Sequence, residues 1–112
     1  MEDYAVIMID NPPRVQLRFN QNYIAKSNDP ISIVSYPDLK PLKHAICKVS
    51  LLGMKPTVTG LLFHTCDTEF GSSGAPVFLR STGTVIGIHV LGTYEGGPAN
   101  GFVPLKSIPI KL

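Results

Sequence analysis

Short apolar stretches, separated by turn-forming residues, follow one another along the chain at intervals of roughly ten residues. Residues 14–19 alternate polar and apolar side chains, which predicts a strand with one buried face. Residues 4–9 are almost wholly apolar, as in a strand buried on both faces. Further strands are predicted at residues 31–36, 45–52, 57–64, 75–79 and 84–91, with a glycine-containing hairpin turn at 80–83. Since no long helical period interrupts them, the pattern indicates an all-β barrel or sandwich.

Composition agrees with one domain built from strands and turns. The 112 residues are 44% hydrophobic and 16% charged, and they include 10 glycines and 10 prolines. The formal charge is only +2 and the basic residues are scattered, so no nucleic-acid partner is expected. No apolar run reaches the about eighteen residues that span a bilayer, and no secretory signal pattern is seen, so no membrane partner is expected.

The two cysteines, Cys47 and Cys66, are too few for the disulfide framework of a small secreted domain and too few for a structural zinc site. We expect them to be core thiols, which favours a reduced, intracellular setting. Their spacing leaves a single disulfide open. No cofactor and no metal ion are expected.

Candidate chemistry begins at residues 71–76, Gly-Ser-Ser-Gly-Ala-Pro. A serine is a good nucleophile only when a base removes its proton and backbone donors hold the developing oxyanion. Gly71 and Gly74 permit a tight turn around Ser73, and the N–H groups of Gly71 and Ser73 could point at one oxygen. Such a turn is, taken alone, an ordinary loop.

The flanking residues make this turn more specific. The pattern Asp67-Thr68-x-x-Gly71-x-Ser73-Gly74-x-Pro76-Val77-Phe78, followed by Val85-Ile86-Gly87-Ile88-His89, resembles the nucleophile region of chymotrypsin/trypsin-like serine proteases, especially the glutamyl endopeptidase and intracellular trypsin-like branches. Residues 33–37, where Ser35 replaces a glycine, and residues 100–105 extend the resemblance over nearly the whole chain. The terminal helix of the digestive enzymes is missing.

The resemblance implies an antiparallel six-stranded Greek-key barrel, the second barrel of the trypsin-like protease fold, with the first barrel largely missing. Residues 21–112 would form this C-terminal barrel. Residues 1–20 would be a remnant of the first barrel and the connection between the two.

The same resemblance implies the catalytic residues. Ser73 would be the nucleophile, and Asp3, in a segment similar to Asp-Ile-Ala-Leu, would orient the histidine. The alternative for Asp3 is a solvated residue at a frayed terminus. The family's histidine precedes this aspartate, so we expect the base to be absent and the chain to be a truncated module. His44 and His64 are interpreted as strand residues without a catalytic role.

Substrate recognition is implied at a second group of residues. A histidine in Gly-x-His lines the pocket of proteases that cleave after Glu or Gln, so His89 with Thr68 would bind that side chain. The alternative is a buried His89, hydrogen-bonded within the barrel. Asp67 stands where trypsin has its pocket aspartate, which leaves a Lys or Arg preference open. The edge that pairs with substrate backbone would comprise Val90, Leu91 and Gly92.

Three departures from the family pattern bear on function. Ser72 replaces the aspartate that captures a new N-terminus in zymogens, Val90 replaces a serine that supports the triad aspartate, and Ala75 replaces the commoner Gly or Ser.

The sequence leaves two functions open. The first is a serine endopeptidase module that acts on peptide or protein substrates together with a missing N-terminal barrel or partner chain. The alternative is a non-catalytic pseudoprotease that binds peptides or proteins.

Overall fold

A closed β-barrel forms the body of the protein in a computed structural model that describes residues 5–11, 14, 16–35, 41–50, 62–66, 73–91 and 100–108. Its strands are β1 (Pro30–Ser35), β2 (Lys43–Ser50), β3 (Leu62–His64), β4 (Pro76–Leu79), β5 (Thr84–Leu91) and β6 (Asn100–Pro104), and a short 3₁₀ turn follows at Leu105–Ser107. The strands close in the order β1-β2-β3-β6-β5-β4, and all neighbours are antiparallel. Because β4 returns to lie beside β1, the first four strands have the Greek-key order. The predicted all-β, antiparallel six-stranded barrel is confirmed.

The barrel interior is filled by apolar side chains from opposite walls. Ile31 and Ile33 point inward from β1, Val77 from β4 and Phe102 from β6, and each is at most 1% exposed. Alternate residues of a strand face opposite sides, so the spacing of Ile31 and Ile33 places both on the inner face. Their burial supplies the hydrophobic driving force that closes the sheet.

Strands β5 and β6 approach each other closely at Gly87. A Cβ atom at this position would clash with the Phe102 ring and would lie 2.6 Å from the carbonyl oxygen of Val103. Glycine is therefore required here because a side chain would not fit. Backbone conformation is not the reason, because the φ of Gly87 is not in the left-handed region. The pairing of β5 with β6 shifts register further along, between His89 and Leu91.

The turn between β4 and β5 has the predicted hairpin form. Gly83 has a φ of 71°, and its N–H donates to the carbonyl oxygen of Leu79 over 2.8 Å. The hydroxyl oxygens of Thr82 and Thr84 lie 2.7 Å apart. Glycine supplies the left-handed conformation that this turn needs.

Two predicted strands near the N-terminus are wrong where the structure describes them. Residues 5–9 and 16–18 form no strand, and Phe19 makes only an isolated parallel bridge with Val85. Ile7 is 78% exposed and Met8 is 94% exposed. An apolar pattern marks a face that can be buried, but a strand also needs a neighbour for its backbone hydrogen bonds. Among the described residues, β5 offers that neighbour only around Val85, which bonds to Arg18 and Asn20.

The expectation that the two cysteines are core thiols is also wrong. Cys47 and Cys66 form a disulfide, with Cα atoms 5.0 Å apart. The reason is strand register: Val49 pairs with His64, and continuing that antiparallel register brings Cys47 opposite Cys66. The inference of a reduced setting from unpaired thiols no longer holds.

Candidate active site

The turn that carries Ser73 lies immediately before β4 and is bonded to β5. Gly74 has a φ of 87°, a conformation that favours glycine, so the chain can reverse direction directly after Ser73. The Gly74 N–H donates to the carbonyl oxygen of His89 over 2.7 Å, and the His89 N–H donates to that of Ala75 over 2.9 Å. These two bonds hold the turn against the end of the barrel.

The Ser73 side chain is exposed at this turn. Its hydroxyl donates a long hydrogen bond, 3.5 Å, to the backbone carbonyl of Val90. A contact of that length is weak, so the hydroxyl is available to solvent and to an approaching base. Gly71, the other expected oxyanion donor, lies outside the described residues.

All three histidines of the chain are among the described residues. His44 is exposed on β2, whereas His64 on β3 and His89 on β5 are buried inside the barrel. Nε2 of His64 lies 2.9 Å from Nδ1 of His89, and the ring centroids are 5.0 Å apart. In the part of the chain that the structure describes, the hydroxyl of Ser73 has no hydrogen bond to a histidine.

Hydrogen bonds fix where the protons of the buried pair lie. The Cys66 N–H donates to Nδ1 of His64 over 3.0 Å, so the proton of a neutral His64 is on Nε2 and is donated to His89. The His89 ring makes its other hydrogen bond to the backbone carbonyl of Gly101. Every ring nitrogen of the pair therefore has a partner.

Burial keeps both rings neutral. Loss of hydration lowers the pKa of His64 to about 3, and the neighbouring His89 lowers it further in the same direction. Burial also lowers the pKa of His89, although the hydrogen bond to Gly101 opposes this shift. At neutral pH the pair therefore carries no charge into the apolar core.

The predicted substrate edge is described in part. The pairing of β4 with β5 ends at Pro76 and Ile88, whereas β5 continues to pair with β6 as far as Leu91. Val90 and Leu91 therefore extend past the described end of β4, next to the Ser73 turn. Other predicted site residues lie outside the described residues: Asp3, Asp67, Thr68, Gly71 and Gly92.

The structure also brings together a group that sequence reasoning did not connect. Cys47, His64 and Cys66 have sulfur and nitrogen atoms within 4.8 Å of one another. Residues 64 and 66 share one face if both lie in a strand, so their spacing was a usable signal. The position of Cys47 depended on register between strands.

Among the described residues, no helix has the length and apolar character to cross a bilayer.

Comparison with known proteins agrees with this architecture. The family model described as a trypsin-like peptidase domain matches residues 1–88. The chain is also similar to the crystal structure of Rv3671c from M. tuberculosis H37Rv, a serine-to-alanine mutant in an inactive form, with a TM-score of 0.64 and 19% identity. That match covers 84% of this chain and 49% of the other, so this chain spans about half its length. The likeness shows the fold alone. Comparison with curated proteins found no match.

Proposed function

The chain belongs to the trypsin-like peptidase domain family, and from this premise we propose that it is the nucleophile-bearing part of a serine endopeptidase. Ser73 Oγ attacks a peptide carbonyl, and the amides of Gly71 and Ser73 stabilise the oxyanion. The observation that supports this proposal is the exposed Ser73 in a turn that Gly74 and the backbone of His89 hold at the end of a closed barrel.

A histidine from polypeptide outside these 112 residues supplies the base in this proposal, and Asp3 orients it. That histidine takes the serine proton and returns it to the leaving amine. Two observations support an outside origin. His64 and His89 bond to each other inside the barrel, and His44 lies exposed on β2.

The proposed source of the histidine is a second barrel, with residues 1–20 as the connection and residues 21–112 as the C-terminal barrel. Four consecutive apolar side chains before the barrel are exposed: Val6, Ile7, Met8 and Ile9. A contiguous exposed apolar patch marks a surface that binds another protein surface. Packing against a first barrel would cover this one.

A peptide in extended conformation is the proposed substrate. Its backbone pairs with Val90, Leu91 and Gly92, in the manner of a strand added to a sheet edge. The part of β5 that extends past β4, beside Ser73, supports this placement. The cleaved residue is Glu or Gln in this proposal, bound by Thr68 and by His89, whose buried ring must exchange its hydrogen bond to Gly101 for one to the substrate.

The test uses a polypeptide in which this chain is joined to a histidine-bearing first barrel. We expect it to hydrolyse peptide esters and to react with a fluorophosphonate at Ser73, located by mass spectrometry. Ser73→Ala should abolish both, whereas Ser81→Ala, an exposed serine in the distant hairpin, should change neither. The 112-residue chain by itself should show no measurable hydrolysis, because removing a triad member costs several orders of magnitude in rate. Turnover that survives Ser73→Ala contradicts the proposal.

A non-catalytic peptide-binding module is the second candidate. It is favoured by the Ser73 hydroxyl, whose described partner is the carbonyl of Val90 and not a base. In that case the 112-residue chain should bind peptides by itself. Ser73→Ala should leave that affinity unchanged, and the joined two-barrel polypeptide should remain inactive.

A further inference from the structure

Three side chains that can bind a metal ion face one another at the junction of β2 and β3. Val49 is fully buried and pairs with His64, so both lie on the inner face of the sheet. Cys47 is two residues from Val49 within β2, which places it on that same face, and the disulfide holds Cys66, just past the end of β3, next to it. Their two sulfurs and a ring nitrogen of His64 lie within 4.8 Å of one another.

The His64 ring is already in the protonation state that a metal ligand requires. Its Nδ1 is unprotonated, because it accepts the Cys66 N–H, and a metal ion would take the place of that N–H at the single lone pair of Nδ1. Its Nε2 carries the proton and donates it to His89 over 2.9 Å. Histidine ligands almost always donate their second ring N–H to a protein acceptor, which fixes the ring and makes the ligating nitrogen more basic.

We propose that reduction of the Cys47–Cys66 disulfide converts this group into a Zn²⁺ site, with both thiolates and Nδ1 of His64 as ligands. A dithiol supplies the two electrons and two protons that open the disulfide, and the dithiol is oxidised to its own disulfide. Zn²⁺ then binds the sulfurs as the two thiol protons leave to solvent. In the oxidised protein the sulfurs are bonded to each other, so the disulfide and the metal exclude each other.

The chemistry of the ligand set selects zinc over harder cations. Thiolate and imidazole are preferred zinc ligands, at about 2.3 Å and about 2.0 Å respectively, whereas Mg²⁺ and Ca²⁺ prefer oxygen. Tetrahedral geometry at those lengths separates ligand atoms by about 3.5 to 4 Å. The three ligand atoms already lie within 4.8 Å of one another, and reduction lets the two bonded sulfurs separate to that distance while Nδ1 exchanges the Cys66 N–H for the metal.

Charge and access also fit. Two thiolates and a neutral imidazole balance the charge of Zn²⁺, so the filled site brings no net charge into the barrel. Cys47 is half-buried, whereas Cys66 and His64 are buried. A water molecule would complete the coordination, as in zinc sites with three protein ligands.

The first test measures zinc binding by the full 112-residue chain in both redox states. Oxidised chain and chain reduced with a dithiol, freed of reductant under nitrogen, are titrated with Zn²⁺ in competition with a chromophoric chelator. We expect one Zn²⁺ per reduced chain and none per oxidised chain. Reduced chain that binds no more zinc than the Cys47→Ser/Cys66→Ser variant overturns the proposal.

Variants then test the histidine. His64→Gln should lower zinc affinity at least about 100-fold. Losing only the hydrogen-bond partner of a metal ligand costs up to about 100-fold, so losing the ligand itself should cost at least that much. His44→Gln is the matched control, because His44 is an exposed histidine on β2, and it should change nothing. Equal zinc affinity in wild type and His64→Gln overturns the assignment of His64.

A measurement on the wild type covers the case in which a variant fails to fold. X-ray absorption at the zinc edge should show two sulfur neighbours at about 2.3 Å and at least one nitrogen at about 2.0 Å. A zinc environment with fewer than two sulfurs overturns the proposal. If reduced chain folds only when zinc is added, the metal contributes to folding, which supports the site.

Discussion

Nε2 of His64 lies 2.9 Å from Nδ1 of His89 in the interior of the barrel, and the two rings come from strands on opposite sides of β6. The Cys66 N–H fixes the proton positions, so His64 donates and His89 accepts. Both rings are kept neutral by burial, which lowers the pKa of each. Each neutral ring carries one proton, so a third proton on the pair would have to displace one of the hydrogen bonds that the ring nitrogens accept.

Stability should therefore fall as the pH drops below 6.5. The unfolded chain takes up a proton on His64 near its ordinary pKa of 6.5, whereas the folded chain does so only near 3. Between these values the unfolded state binds more protons, which costs up to about 1.4 kcal/mol per pH unit for this group. His89 adds a loss of the same sign, because its pKa is also lowered. Urea unfolding of oxidised, metal-free chain between pH 7.5 and about 5, above most carboxyl pKa values, measures the slope.

The variant His64→Gln separates this effect from other titrations. Glutamine retains a donor and an acceptor but does not titrate, so the slope should be roughly halved while His89 still contributes. His44→Gln, on the exposed face of β2, should leave the slope unchanged. A pH profile of His64→Gln that matches the wild type contradicts the assigned pKa.

Gly87→Ala should destabilise the barrel by about 1 to 3 kcal/mol, the usual cost of overpacking. The added methyl group meets the Phe102 ring and the Val103 carbonyl, so β5 and β6 must move apart. Thermal or urea unfolding measures the loss. Gly83→Asn is the contrasting variant. A Cβ added at Gly83 meets open space, and asparagine tolerates a positive φ, so this substitution should lower the free energy of unfolding by less. Equal losses for the two would contradict the close approach at Gly87.

Local patterns predicted most of the strands, and the family resemblance implied the six-stranded barrel, but neither specified its internal contacts. Gly83 and Gly74 mark turns because each needs a left-handed conformation, and that requirement is visible in the sequence. The exposure of residues 5–9 was not predictable, because apolar patterning does not reveal whether a partner surface is present. The pairs Cys47–Cys66 and His64–His89 depend on the register of separate strands, which no local pattern specifies.

Reducing the disulfide in the presence of a chelator should lower the free energy of unfolding by about 3 kcal/mol. Cys47 and Cys66 are separated by 19 residues, and a cross-link across a loop of that size typically contributes this much by restricting the unfolded chain. Cys47→Ser/Cys66→Ser should lose a similar amount and should no longer respond to the reductant. Urea unfolding with and without a dithiol measures both. An unchanged unfolding midpoint on reduction of the wild type would contradict the cross-link.

The last prediction concerns the residue at which the joined two-barrel enzyme cleaves. We expect cleavage after Glu or Gln, because an imidazole that donates a hydrogen bond recognises a carboxylate or amide oxygen. A site built for a polar side chain rejects apolar ones strongly, since its buried donor would be left unpaired. In the described structure that donor on His89 is bonded to the carbonyl of Gly101, so a substrate oxygen must compete for the same proton.

Profiling against a peptide library measures the preference. His89→Ala should reduce the ratio of kcat/KM for Glu over an apolar residue by at least about tenfold, the loss of one hydrogen bond to a charged group. Asp67 is the basis of the rival expectation, because a carboxylate in the pocket would pair with Lys or Arg. Asp67→Asn is therefore the matched variant, and it should leave a preference for Glu intact or strengthen it, since it removes a like charge. Dominant cleavage after Lys or Arg that is lost in Asp67→Asn would assign the pocket to Asp67 and leave His89 as a residue of the barrel core.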